Sequence, residues 1–82
     1  MNLQELIEEH GPIVAAQPEI GLVVCWDHEN AVLSVCKDEG MNGDYSLTEQ
    51  YDIEGDNTPD NAEAEALDVL DDVQGDDTET GE

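Results

Sequence analysis

Arginine and phenylalanine are absent from this chain, and Lys37 is its only lysine. Without clustered Lys and Arg the protein cannot grip a nucleic-acid phosphate backbone, so direct nucleic-acid binding is excluded. Without a guanidinium fork it cannot clamp a phosphate or carboxylate at two points. No apolar run approaches the roughly 20 residues that cross a bilayer, so no membrane partner is expected. No cationic stretch followed by an apolar one opens the sequence, so no secretory signal is expected. Aromatics make up only 4% of the chain, and any core is thin. Cysteine is scarce as well. Cys25 and Cys36 stand eleven residues apart and match no zinc spacing, which needs close pairs. They can bridge only if their Cα atoms come within about 7 Å. Reduced thiols and a cytoplasmic location are therefore expected.

What the chain has is acid. Its 82 residues carry 23 Asp plus Glu, for a net charge of −22. A hydrophobic content of 38% with this charge is the average of a disordered chain. The average hides a split. Residues 1–37 hold six acids and most large apolar side chains, and residues 38–82 hold the other 17. The length allows one small, marginal α+β domain over 1–74, with 75–82 read as a disordered acidic tail.

Asn2 to His10 reads as a helix, with Asn2 as N-cap, Glu5 completing a capping box, and Leu3, Leu6 and Ile7 on one face. Gly11-Pro12 stops it, and Pro12 opens a second helical turn through Ile13, Val14, Ala15 and Ala16. Ile20–Asp27 and Ala31–Lys37 form a β-hairpin, with Asn30 suited to a left-handed turn position. A register in which paired residue numbers sum to 59 puts Leu22, Val24, Trp26, Leu33 and Val35 on one face. Val23, Cys25, Val32, Ser34 and Cys36 then share the other. Tyr45–Ile53 is a third strand, with Tyr45, Leu47, Tyr51 and Ile53 on one face and Glu49 interrupting it, as edge strands do. A last helix starts at Thr58-Pro59 or at an Asp60/Glu63 capping box and ends at Gly75. The expected fold is thus a three-stranded antiparallel sheet flanked by N- and C-terminal helices, in the order α-β-β-β-α. The expected core is Leu6, Ile7, Leu22, Val24, Trp26, Leu33, Val35, Leu47, Ile53, Leu67 and Leu70.

Catalytic chemistry finds little support. His28 reads as an exposed turn residue between acids, and His10 as a helix C-terminal residue favoured by the dipole. Neither cysteine has the basic surroundings that create a thiolate, apart from Lys37 next to Cys36. DIEGDNTPDNAE has the flavour of a calcium loop, but its glycine comes too early. No catalytic residue, metal site or cofactor is assigned.

The acidity itself is informative. Duplex DNA carries about one negative charge per 1.7 Å, so 22 charges match roughly 37 Å of duplex. Acids on the last helix recur at about 4 to 6 Å along its axis, near the phosphate spacing of one strand. Such a surface competes for a Lys/Arg-lined channel. The contact residues expected are Asp38, Glu39, Asp44, Glu49, Asp52, Glu54, Asp56, Asp60, Glu63, Glu65, Asp68, Asp71 and Asp72, each standing in for phosphate oxygens.

In size, charge and element order the chain resembles the small acidic DNA-mimic inhibitors of phages and mobile elements. That class holds anti-CRISPR proteins, anti-restriction proteins and uracil-DNA glycosylase inhibitor. The order helix, three-stranded sheet, helix, and the opening MNLQELIEE, are similar to those of an anti-CRISPR inhibitor of Cas9. The resemblance implies a non-enzymatic inhibitor, monomeric or homodimeric, acting in a host cytoplasm on a basic nucleic-acid-binding protein. Two other readings stay open. One is a salt-adapted domain of a halophile. The other is an acidic adaptor using the hairpin face of Val23, Cys25, Val32 and Cys36.

Overall fold

The computed structural model describes residues 1–38, 40 and 42–80, with the backbone alone for 74–80. Helix α1 spans Leu3–His10. The Asn2 side chain accepts the Glu5 backbone N–H at 2.9 Å and caps the helix. Gly11 ends it at φ +95°. A Cβ there would lie 2.0 Å from the Trp26 carbonyl oxygen, so only glycine fits.

The segment after Pro12 is a strand, β1 (Ile13–Gln17), and not the helical turn expected from Pro12. β-branched Ile13 and Val14 favour extended backbone, and Pro18 pushes Gln17 out of the helical region. A one-turn helix makes few hydrogen bonds, whereas β1 pairs along its length with β2 (Leu22–Asp27). A bulge between Ile13 and Ala15 sends Ile13 to one side of the sheet and Ala15 to the other. With β3 (Val32–Lys37) and β4 (Ser46–Asp52) the sheet has four antiparallel strands, not three, in the order β1-β2-β3-β4.

The central hairpin keeps the register its apolar pattern dictates: Val24 faces Val35, Cys25 faces Ser34 and Trp26 faces Leu33. Its left-handed residue is Ala31, at φ +53°, rather than Asn30. Asn30 is held instead by Asp27, which accepts its side-chain amide at 2.8 Å.

β4 departs from simple alternation. Val35 pairs with Glu49 but Cys36 pairs with Leu47, so Thr48 is an extra residue. Its hydroxyl donates to the Val35 carbonyl at 3.0 Å, which satisfies the ladder at the bulge. The bulge splits the expected apolar face. Tyr45 packs on the same side as Cys36, and Tyr51 and Ile53 on the same side as Leu33.

Both sheet faces carry a helix. α1 covers Val23, Cys25 and Cys36 with Leu6. Helix α2 (Pro59–Thr80) covers Val24, Trp26 and Val35 with Ala62, Ala66 and Leu70. Thr58 caps α2: its hydroxyl accepts the Asn61 N–H at 3.4 Å, and Pro59 takes the first helical position. The Asp60/Glu63 alternative is therefore not the cap. The α2 backbone does not end at Gly75 as expected but runs on helically to Thr80, since i to i−4 pairing tolerates one glycine. Of the tail expected over 75–82, the side chains of 75–80 and residues 81–82 lie outside the described residues.

Three expected core residues are exposed: Ile7 at 40%, Leu47 at 43% and Leu67 at 53%. Ile7 and Leu67 lie beside Leu6 and Ala66, which take the buried lines of their helices, and Leu47 sits on the edge strand outside α1. Small residues fill the places instead. Ala15, Ala62 and Ala66 let α2 approach the sheet closely.

Candidate functional site

α2 lies mainly over β1 and β2. The same face of β3 and β4 is left partly open, and a groove of about 630 Å³ runs between them and the helix. Its floor is Leu33, Tyr51 and Val69. Asp52 and Glu54 line its strand side, the Asp52 side chain turned to the other sheet face by alternation with Tyr51, and Glu65, Asp68, Asp71 and Asp72 line its helix side. The fold thus brings together six of the thirteen acids singled out from the sequence. No Lys, Arg or His lines the groove. Among the described residues, no three His, Cys, Asp or Glu converge as a metal cage.

The six acids are not equivalent. Glu65 accepts the backbone N–H groups of Glu54 at 2.9 Å and Gly55 at 3.1 Å, and also the Asn61 side-chain amide. These donors, led by the Glu54 N–H, hold its carboxyl below the usual range. Glu65 therefore fixes the β4–α2 loop. Asp52, Asp68, Asp71 and Asp72 have no hydrogen-bond or ion-pair partner for their carboxylates among the described residues.

The other acids lie apart from the groove or serve the fold. Asp38 is buried, and it accepts the backbone N–H of Asn42 at 3.1 Å and of Gly43 at 2.6 Å. It shapes the β3–β4 loop and presents little carboxylate outward. Glu39 lies outside the described residues. Asp44 is exposed and accepts from the Met1 amino nitrogen at 2.7 Å. Glu49 is exposed and accepts the Tyr51 hydroxyl. Asp56, Asp60 and Glu63 are exposed along the loop and first turns of α2.

His28 is exposed beside Trp26, edge to face at 5.2 Å between ring centroids. Cys25 and Cys36 are free and buried. Burial pushes the Cys25 thiol up to about 12 and the Cys36 thiol to about 11. With Val23 they lie beneath α1, so the hairpin face expected as an open adaptor surface is covered. Among the described residues no helix is long and apolar enough to cross a membrane.

The groove floor is not legible in the sequence. Leu33 is in the core, as expected, but Tyr51 shares its face and not that of Leu47. The one signal was Glu49, which breaks the alternation where the bulge falls.

Comparison with protein-family models, with curated proteins and with solved structures gives no match to this chain.

Proposed function

We propose that the protein is a non-enzymatic inhibitor that imitates the charge of DNA and occupies the basic nucleic-acid channel of a host enzyme. A CRISPR effector, a restriction enzyme and a repair glycosylase are the enzyme classes that present such a channel. The observation that carries the reading is charge per length. The body is 37 Å long, and 22 net charges over 37 Å is one per about 1.7 Å, the value for duplex DNA. Leaving out Glu39 and Glu82, and Asp76, Asp77 and Glu79, whose side chains lie outside the described ones, it is one per about 2.2 Å.

The placement of the acids supports the same reading. Asp60, Glu63, Asp68, Asp71 and Asp72 are exposed along one helix, with Asp68 and Asp72 one turn, or about 6 Å, apart. A rigid helix presents these charges without the ordering cost a disordered acidic tail would carry. Association with a cationic channel would be steered from a distance and weakened steeply by salt.

The test is affinity capture from lysate of the source organism at about 0.1 M salt, where exposed charges still act across about 10 Å, followed by elution with a short DNA duplex. A nucleic-acid enzyme released by DNA is the expected result. A partner that resists both DNA and moderate salt would point to an adaptor surface instead.

A further inference from the structure

The DNA-mimic reading treats every exposed carboxylate alike, but the groove beside α2 differs from the rest of the acidic surface. Its floor is apolar and includes an aromatic ring, while its rim is wholly anionic. The chain supplies no cation to fill it, since Lys37 pairs across the sheet with Leu22 and Ser46 at the other end of β3. The rim carboxylates do not converge on a point, so a compact metal ion is a poor match. At about 630 Å³ the groove is as large as many small-ligand sites, which run from about 300 to 1,000 Å³.

We infer that this groove seats arginine side chains of the basic partner and selects guanidinium over ammonium. The inference rests on the mimicry reading for the partner's basic character, and adds which cation is taken and where. Arginine fits both halves of the groove. Its planar, weakly hydrated head stacks on an aromatic face and forks to carboxylates, and its stem covers apolar surface. Half-buried Tyr51 and Val69 offer that surface, and exposed Asp68 and Asp72 offer acceptors along its rim. A lysine ammonium is a strongly hydrated point charge that gains less from a ring and from separated acceptors. The scattered acids elsewhere attract either cation equally.

The experiment titrates the protein with hexa-arginine and with hexa-lysine peptides, capped at both ends, at about 0.1 M NaCl. The arginine peptide should bind about three- to tenfold tighter, the range of one partly desolvated cation–π contact. Tyr51→Leu should bring the ratio to about one, while Tyr51→Phe keeps it. Trp26 fluorescence reports whether each variant folds. If Tyr51→Leu does not fold, Asp68→Asn with Asp72→Asn, both exposed, should lower the ratio in its place. Equal affinities, or a preference that survives both changes, overturn the inference. Asp60→Asn with Glu63→Gln, remote from the groove, separates the two readings. It should weaken both peptides alike and leave their ratio unchanged. Full affinity in that variant would count against mimicry while leaving the groove intact, and no binding of either peptide overturns both.

Discussion

The Trp26 indole N–H donates to the side-chain carbonyl of Asn57, 2.8 Å away and 31 residues further along the chain. The Asn57 amide in turn donates to the His28 carbonyl at 2.6 Å. One side chain thus satisfies a mostly buried indole and ties the β2–β3 turn to the loop before α2. Thr58, the next residue, caps that helix. The position of α2, and with it the helix wall of the groove, is therefore referenced to the tip of the central hairpin.

Asn57→Ala should cost about 1–3 kcal/mol, because it strands the indole donor as well as losing two hydrogen bonds. For a domain of this size that lowers Tm by roughly 5–15 °C. Thermal unfolding followed by Trp26 fluorescence checks it. A melting point within a degree of wild type would show that the tie is not holding α2.

Gly11 and Gly43 both adopt positive φ, at +95° and +89°, but in different surroundings. A Cβ at Gly11 would meet the Trp26 carbonyl oxygen at 2.0 Å, and one at Gly43 meets nothing within 4 Å. Gly11→Ala should cost about 3 kcal/mol or more, from strain plus a backbone displacement, and Gly43→Ala only about 1 kcal/mol. Urea midpoints of the two variants give the comparison. Similar losses would mean that the close approach of α1 to β2 is not what Gly11 serves.

Cys25 and Cys36 should be inert in the folded protein. Burial raises both thiols, to about 12 and about 11, so almost no thiolate is present at neutral pH, and the sulfurs are covered by Leu6. Labelling by a thiol reagent at pH 7.5 should be slowed more than about a hundredfold relative to urea-unfolded chain. Rapid labelling without unfolding would place at least one thiol at the surface.

The Glu65 carboxyl titrates below its ordinary value of about 4.3 because backbone N–H groups favour its charged form. Its stabilising contribution is therefore present above about pH 4.3 and is lost as pH falls through the lower folded value. Glu65→Gln should be less stable than wild type from pH 7 to about pH 5, and the gap should close below about pH 4. Urea midpoints across that range measure it. A gap that persists to low pH would assign the loss to shape rather than charge.

The hairpin register and the caps of α1 and α2 were legible in the sequence for local reasons. Alternation from Leu22 to Trp26 and from Leu33 to Val35 permits one register with a buried face, and Asn2 and Thr58 are hydroxyl or amide caps ahead of apolar stripes. β1 was misread because Pro12 can open a helix as well as precede a strand. The choice was made by pairing with Val23 and Val24, a contact no local window contains. The bulge at Thr48 is not legible because an alternating run gives no sign of which residue a sheet will skip. That skip moved Tyr51 beside Leu33 and created the groove floor. The acids of its rim were legible by type, but their grouping depends on α2 lying over β1 and β2. The structural duties of Asp38 and Glu65 depend on loop N–H groups that only the folded chain brings near.

We propose that charge spaced like that of DNA directs this protein to a nucleic-acid channel. The deciding measurement takes the enzyme captured at low salt and titrates the protein against labelled duplex DNA at several salt concentrations. Competitive displacement of DNA is expected, with log affinity falling linearly against log salt concentration. A shallower slope is expected for the Asp68→Asn, Asp71→Asn, Asp72→Asn variant. Inhibition that leaves DNA bound, or an affinity indifferent to salt and to these three changes, would contradict it.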